Sequence, residues 1–145
     1  MRLAALMFVS FAITIPFTTN ADIKGKKKAP AKKKTELTDT YWRLCEMNGK
    51  KLEATGSNTD AYIYLKDKKD ELIGFTGCNN ISGEFEDGKY NAIGFEAVST
   101  EKACPGIETE TYLMDALKKA NRYMINGENM LLYNDNVVLA IFEAK

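Results

Sequence analysis

Gly77-Cys78-Asn79-Asn80, with Ser82-Gly83 just behind it and Cys104-Pro105 following 26 residues after Cys78, decides how this chain folds. Each cysteine stands beside residues that favour tight turns. Three cysteines, Cys45, Cys78 and Cys104, allow three single pairings. The favoured one is Cys78–Cys104, a covalent staple that leaves Cys45 as a free thiol. Closing a loop of about 27 residues in this way restricts the unfolded chain by roughly 3.5 kcal/mol. Two alternatives remain open. Cys45 could be an intermolecular or redox-active thiol, or Cys78 and Cys104 could form a reversible redox pair, although the Cys-x-x-Cys spacing typical of such chemistry is absent.

A disulfide needs an oxidising compartment, and the N-terminus is consistent with one. Met1-Arg2 is followed by a mostly apolar run from Leu3 to Phe17, then Thr19-Asn20-Ala21 with small residues at the −3 and −1 positions. This pattern predicts a secretory signal peptide over 1–21. The run is shorter than the ~20 apolar residues that cross a bilayer, and no cysteine lies before Cys45 to carry a lipid anchor. The expected product is periplasmic or secreted, bacterial in origin, and has no transmembrane segment after cleavage.

Residues 22–37 read as a disordered arm, because Lys24 to Lys34 holds seven lysines, a proline and no large apolar side chain. The formal net charge of zero therefore hides an asymmetry. Lys24 to Lys34 carries +7, while residues 35–145 hold 12 basic and 19 acidic residues, a net of −7. The arm is a solvated spacer or a polyanion contact through Lys26, Lys27, Lys28, Lys32, Lys33 and Lys34, tethering the protein to an anionic surface at about 1 kcal/mol per lysine before salt screening. No interleaved aromatics suit it to nucleic acid, so no nucleic-acid partner is expected.

From residue 38 onward the periodicity is that of strands, one helix, and strands again. Trp42 and Leu44 alternate with Tyr41, Arg43 and Cys45. Asn48-Gly49 marks a turn, and Lys50 to Thr59 reads as loop. Ala61–Lys66, Glu71–Thr76, Ile81–Glu86 and Lys89–Phe95 read as strands, with Glu96 to Pro105 lying across the sheet. From Glu108 to Arg122, Tyr112, Leu113, Ala116, Leu117 and Ala120 share one helical face. Glu108 and Glu110 sit at its positive end, Lys118, Lys119 and Arg122 at its negative end. Short β-prone runs at 122–125, 130–133 and 137–142 close the chain. This order predicts a single α+β domain over 38–145, a mainly antiparallel sheet with one principal helix at about 108–122.

The residues for most known chemistries are missing. There is no histidine, which removes Ser-His-Asp and Cys-His catalysis and histidine zinc sites. Neither a P-loop nor a dinucleotide glycine fingerprint occurs. Glu84 and Glu86, Glu108 and Glu110 read as solvated surface, and Asp67 and Asp70 lack calcium-loop spacing. No catalytic, cofactor or metal site is expected, and the chain reads as a non-enzymatic monomer.

Several of these segments together resemble the META domain, the HslJ-like family of bacterial proteins. Tyr41-Trp42-Arg43-Leu44 with Asn48-Gly49-Lys50 is similar to the family's opening tryptophan strand and turn. Phe75-Thr76-Gly77-Cys78-Asn79-Asn80-Ile81-Ser82-Gly83-Glu84-Phe85 resembles its Gly-Cys-Asn segment, and Ser99-Thr100-Glu101-Lys102-Ala103-Cys104-Pro105 its Thr-x-x-Ala-Cys-Pro segment. Glu110 and the helix through Leu117, then Tyr123 and the closing strands, fit as well. The motif residues are thus Trp42, Gly77, Cys78, Asn79, Gly83, Thr100 and Cys104. The resemblance spans about 38–143 and implies a compact α+β domain with a curved sheet. It also implies links to heat shock, antibiotic resistance and secretion without an agreed activity. Cys45 and the lysine arm lie outside the family pattern. The function expected is binding of an envelope protein or small ligand, with Asn79-Asn80 and Thr100 as anchors of the fold first and contact residues second.

Overall fold

The structure, a computed structural model, describes residues 34–56, 59–105 and 107–145. The proposed signal peptide and Lys26, Lys27, Lys28, Lys32 and Lys33 lie outside these residues. Lys34 is exposed at their start.

Nine strands and one helix are described: β1 Tyr41–Met47, β2 Lys50–Lys51, β3 Tyr62–Lys66, β4 Glu71–Phe75, β5 Asn80–Asp87, β6 Ile93–Ser99, α1 Glu108–Lys119, β7 Arg122–Asn126, β8 Asn129–Asn134 and β9 Val137–Ala144. All pairings are antiparallel, and the sheet runs β6-β5-β4-β3-β1-β9-β8-β7, with β2 added to the end of β1. This is the expected α+β class. Each hairpin is local, but β1 pairs with both β3 and β9, so the first strand joins the two halves. The sheet curls into a half-barrel until its edge strands meet at one corner, where Ala92 bridges Arg122 and the Ile93 N–H donates to the Asn121 carbonyl at 3.1 Å.

The period-two alternation of the strands fills the inside of this curl. Trp42, Leu44, Ile63, Leu65, Leu72, Ile81, Phe85, Met130, Leu132 and Phe142 are buried there. The helix supplies Leu113, Ala116 and Leu117 to the same core and packs chiefly on β6, with smaller contacts to β8 and β9. Gly83 sits where β5 and β6 run close together, and a Cβ on it would lie 2.9 Å from the Ala97 Cα. Packing reaches upstream of residue 38: Leu37 is buried, and its carbonyl accepts the Trp42 indole N–H at 2.8 Å.

The structure departs from the sequence reading in four places. Lys50–Lys51 pairs with Glu46 and Met47 rather than being loop. The fifth long strand does not start at Lys89. Lys89–Asn91 forms a 3₁₀ turn in which Tyr90 and Asn91 both have φ of 61° and Tyr90 is 94% exposed, so β propensity there had nothing to pack against. The strand begins instead at Ile93, its first buried side chain, and continues through Ser99, so Glu96–Ser99 belongs to the sheet. The helix ends at Lys119, because Ala120 is extended (ψ 131°) and Asn121 bonds to the β8–β9 turn through Asp135.

Candidate functional site

The cysteine-bearing turn leaves β4 at Thr76 and enters β5 at Asn80. Gly77 has φ of +96°, a conformation that L side chains rarely adopt, which explains a glycine there. Cys78 and Cys104 are disulfide-bonded, with Cα atoms 6.1 Å apart. The bond ties this turn to the segment that follows β6.

Behind the disulfide lies a polar latch that the spacing of the cysteines did not reveal. Thr76 and Asn79 are both 1% exposed. The Thr76 hydroxyl accepts the backbone N–H groups of Cys78 (3.2 Å) and Asn79 (2.8 Å) and donates to Glu110 Oε2 at 3.0 Å. The Asn79 amide uses all four of its hydrogen-bonding positions. Its Nδ2 donates to Glu110 Oε2 (2.7 Å) and the Lys102 carbonyl (3.1 Å), while its Oδ1 accepts the Thr100 hydroxyl and the Lys102 N–H, both at 2.8 Å. Ser99 Oγ donates to Glu110 Oε1 at 3.1 Å. Asn80 and Thr100 exchange further bonds, Asn80 N–H to Thr100 Oγ1 and Thr100 N–H to the Asn80 carbonyl.

Glu110 therefore joins three elements from the first turn of α1, where the helix dipole also favours a negative charge. Its carboxyl is held below its ordinary value by hydrogen bonds, first from Asn79 and then from Thr76 and Ser99, against the opposing effect of burial. A depressed folded-state pKa adds stability above the unfolded carboxylate pKa, and that stability is lost as the pH falls through the folded value. Acid unfolding below about pH 4.5 is therefore expected to draw on this latch. Glu110→Gln would keep an acceptor for Asn79 and Thr76 but remove the charge, lower stability at pH 7 by about 1 kcal/mol, and flatten the acid slope. Urea midpoints at pH 7 and pH 3 measure both effects. Glu143, depressed by hydrogen bonds from Arg43 and Lys145, shares the acid window but not the dependence on this substitution.

The other sequence-selected residues lie elsewhere. Trp42 is a core residue and Gly83 a close-approach point in the sheet. Cys45 is a free thiol at a bulge: it has no partner in the β1–β9 register, which shifts between Leu44 and Glu46, and its Sγ donates to the Ile141 carbonyl at 3.3 Å. Burial pushes its thiol pKa up despite the nearby Arg43, the opposite of what a reactive thiolate requires. Arg43 is itself 8% exposed, paired with Glu143 at 2.9 Å, and its Nε has no partner among the described residues. Beside the latch opens a recess of about 240 Å³, lined by Leu44, Leu52, Ala61, Thr76, Cys78 and Pro105 among others.

The order of these parts is that of a known family, and the META domain family model matches residues 35–145. The chain belongs to the META domain family. Two NMR structures share the fold of this META domain. One, of a protein from Burkholderia xenovorans, covers 83% of this chain and 99% of its own, at 21% identity and a TM-score of 0.61. The other covers 72% and 87%, at 17% identity and a TM-score of 0.57. At these identities they establish the fold alone. No protein of curated function matches the chain.

Proposed function

We propose that this META-domain protein is exported to the bacterial envelope, where it acts without catalysis by binding a protein or small ligand under envelope stress or antibiotic challenge. One observation carries the reading. Asn79 and Thr100 direct their side-chain hydrogen bonds into the fold, with Asn79 fully engaged inside the latch, so these motif residues hold the scaffold and leave its surfaces for recognition. The Cys78–Cys104 disulfide supports the extracytoplasmic assignment, as does the signal-like sequence of residues 1–21. Among the described residues no helix is long and apolar enough to cross a membrane.

The test expresses the full chain in a Gram-negative host. Periplasmic recovery of a product starting at Asp22, crosslinked to a discrete envelope component, supports the proposal. Retention of the uncleaved chain in the cytoplasm overturns it.

A second reading rests on the charge asymmetry between residues 24–34 and 35–145. In it the lysine arm tethers a structural protein to an anionic surface. Cosedimentation with anionic vesicles in low salt that does not change when residues 24–34 are deleted rules this out. Burial, which raises the thiol pKa of Cys45, speaks against a redox role for that residue.

A further inference from the structure

The outer face of the sheet, opposite the helix, carries aromatic rows that the fold itself does not use for its core. The strand register sets Phe75 beside Tyr62 and Tyr62 beside Arg43; in the next row it sets Ile73 beside Tyr64 and Tyr64 beside Tyr41. The rings of Tyr41 and Tyr62 stack with centroids 4.3 Å apart, and Phe75 follows at 6.5 Å from Tyr62. These five apolar and aromatic side chains are all half-buried.

Outside their ion pairs, the charged residues of β1 and β3–β6 are all acidic. Of the cations on this part of the sheet, Arg43 is paired with Glu143 and Lys66 with Glu71, at 2.9 and 3.0 Å. Asp39 accepts the Tyr64 hydroxyl at 3.4 Å, and Asp60 lies close enough for its charge to oppose ionisation of Tyr41, a smaller effect than burial. Glu71, Glu84 and Glu96 stand in one cross-strand row over β4, β5 and β6. Among the described residues, no ion pair engages Asp39, Asp60, Glu84 or Glu96. Like charges facing each other across strands are unfavourable, and a cation laid over them relieves that repulsion.

We propose that this outer face binds a cationic polypeptide segment, whose lysine or arginine stems lie on Tyr41, Tyr62 and Phe75 while their charges meet Asp39, Asp60, Glu84 and Glu96. The inference deepens the binding reading above and rests on it. Cations attract aromatic faces, long basic side chains cover apolar surface with their stems, and opposite charge steers the encounter. Packing of one folded domain on another fits poorly, because residues 35–145 carry a net charge of −7 and would repel. Nucleic acid and anionic lipid are disfavoured on this face for the same reason.

Titration of the exported, isotope-labelled protein with a short oligolysine peptide tests this by NMR. The expected result is saturable shifts at Tyr41, Tyr62, Tyr64 and Phe75, which weaken as salt rises. Tyr62→Ser, and separately Glu84→Gln with Glu96→Gln, are each expected to weaken binding by about tenfold. Glu108→Gln, exposed at the start of the helix, removes a charge away from this face and is expected to change it little. Thermal unfolding of each variant separates lost binding from lost fold. Equal weakening by Glu108→Gln, shifts spread over all carboxylates, self-association through the same tyrosines, or no binding at physiological salt each overturns the proposal. A partner crosslinked at Leu52, Cys78 or Pro105 in the recess, and not at Tyr41, Tyr62 or Phe75, would remove this face from the binding reading and leave that reading standing.

Discussion

Trp42→Ala is expected to cost about 3–5 kcal/mol, a large share of the 5–15 kcal/mol that holds a typical domain together. Trp42 is fully buried on the central strand, between β3 and β9. Its removal opens a cavity where the two halves of the sheet join, a place with few ways to collapse. The indole also donates to the Leu37 carbonyl at 2.8 Å, so the alanine variant loses the anchor of residues 34–38 as well. Trp42→Phe separates the two contributions: it keeps most of the volume and is expected to lose about 1–2 kcal/mol. Urea unfolding followed by circular dichroism measures both. A loss below about 1 kcal/mol for the alanine variant would mean that the two halves of the sheet hold together without this side chain.

The fold was legible wherever an alternating pattern met a packed partner. Trp42 and Leu44, Ile63 and Leu65, and Leu113, Ala116 and Leu117 are buried as their periodicity predicts. Reading failed where propensity had no partner, as at Tyr90, or where a strand continued without a strong alternation, as from Glu96 to Ser99. The latch was only half legible. The sequence marks Asn79 as a turn residue, Thr100 as a neighbouring anchor, and Glu110 as a charge at the helix start. That Glu110 would reach Asn79 and Thr76, 31 and 34 residues earlier in the chain, depends on where the helix docks, and no local spacing encodes that. Thr76 left a fainter signal, a threonine two and three residues before the amides its hydroxyl caps. The outer aromatic rows were hidden for a related reason. Tyr41, Tyr62 and Phe75 come from three strands, and only the register brings their rings together.

The disulfide and the latch hold the same turn by different means, and this sets the outcome of removing the bond. Cys78→Ser with Cys104→Ser is expected to lower stability by about 3 kcal/mol, because the open chain gains the freedom of a loop whose ends are 26 residues apart. The native turn should persist in the variant. Thr76, Asn79, Thr100, Lys102 and Glu110 still bond to one another without the sulfurs, so the folded spectrum is expected to change only near residues 77–79 and 103–105. Reduction of the unmodified protein should give the same loss, and Cys45→Ser should change stability by less than about 1 kcal/mol. Adding Asn79→Ala removes the second restraint. Because both act on one loop, the combined loss is expected to differ from the sum of the separate losses by more than about 0.5 kcal/mol. Strict additivity in urea unfolding would mean that bond and latch do not cooperate. A double serine variant as stable as the parent would instead mean that the bond does not constrain the unfolded chain, and would return Cys78 and Cys104 to consideration as a reversible redox pair.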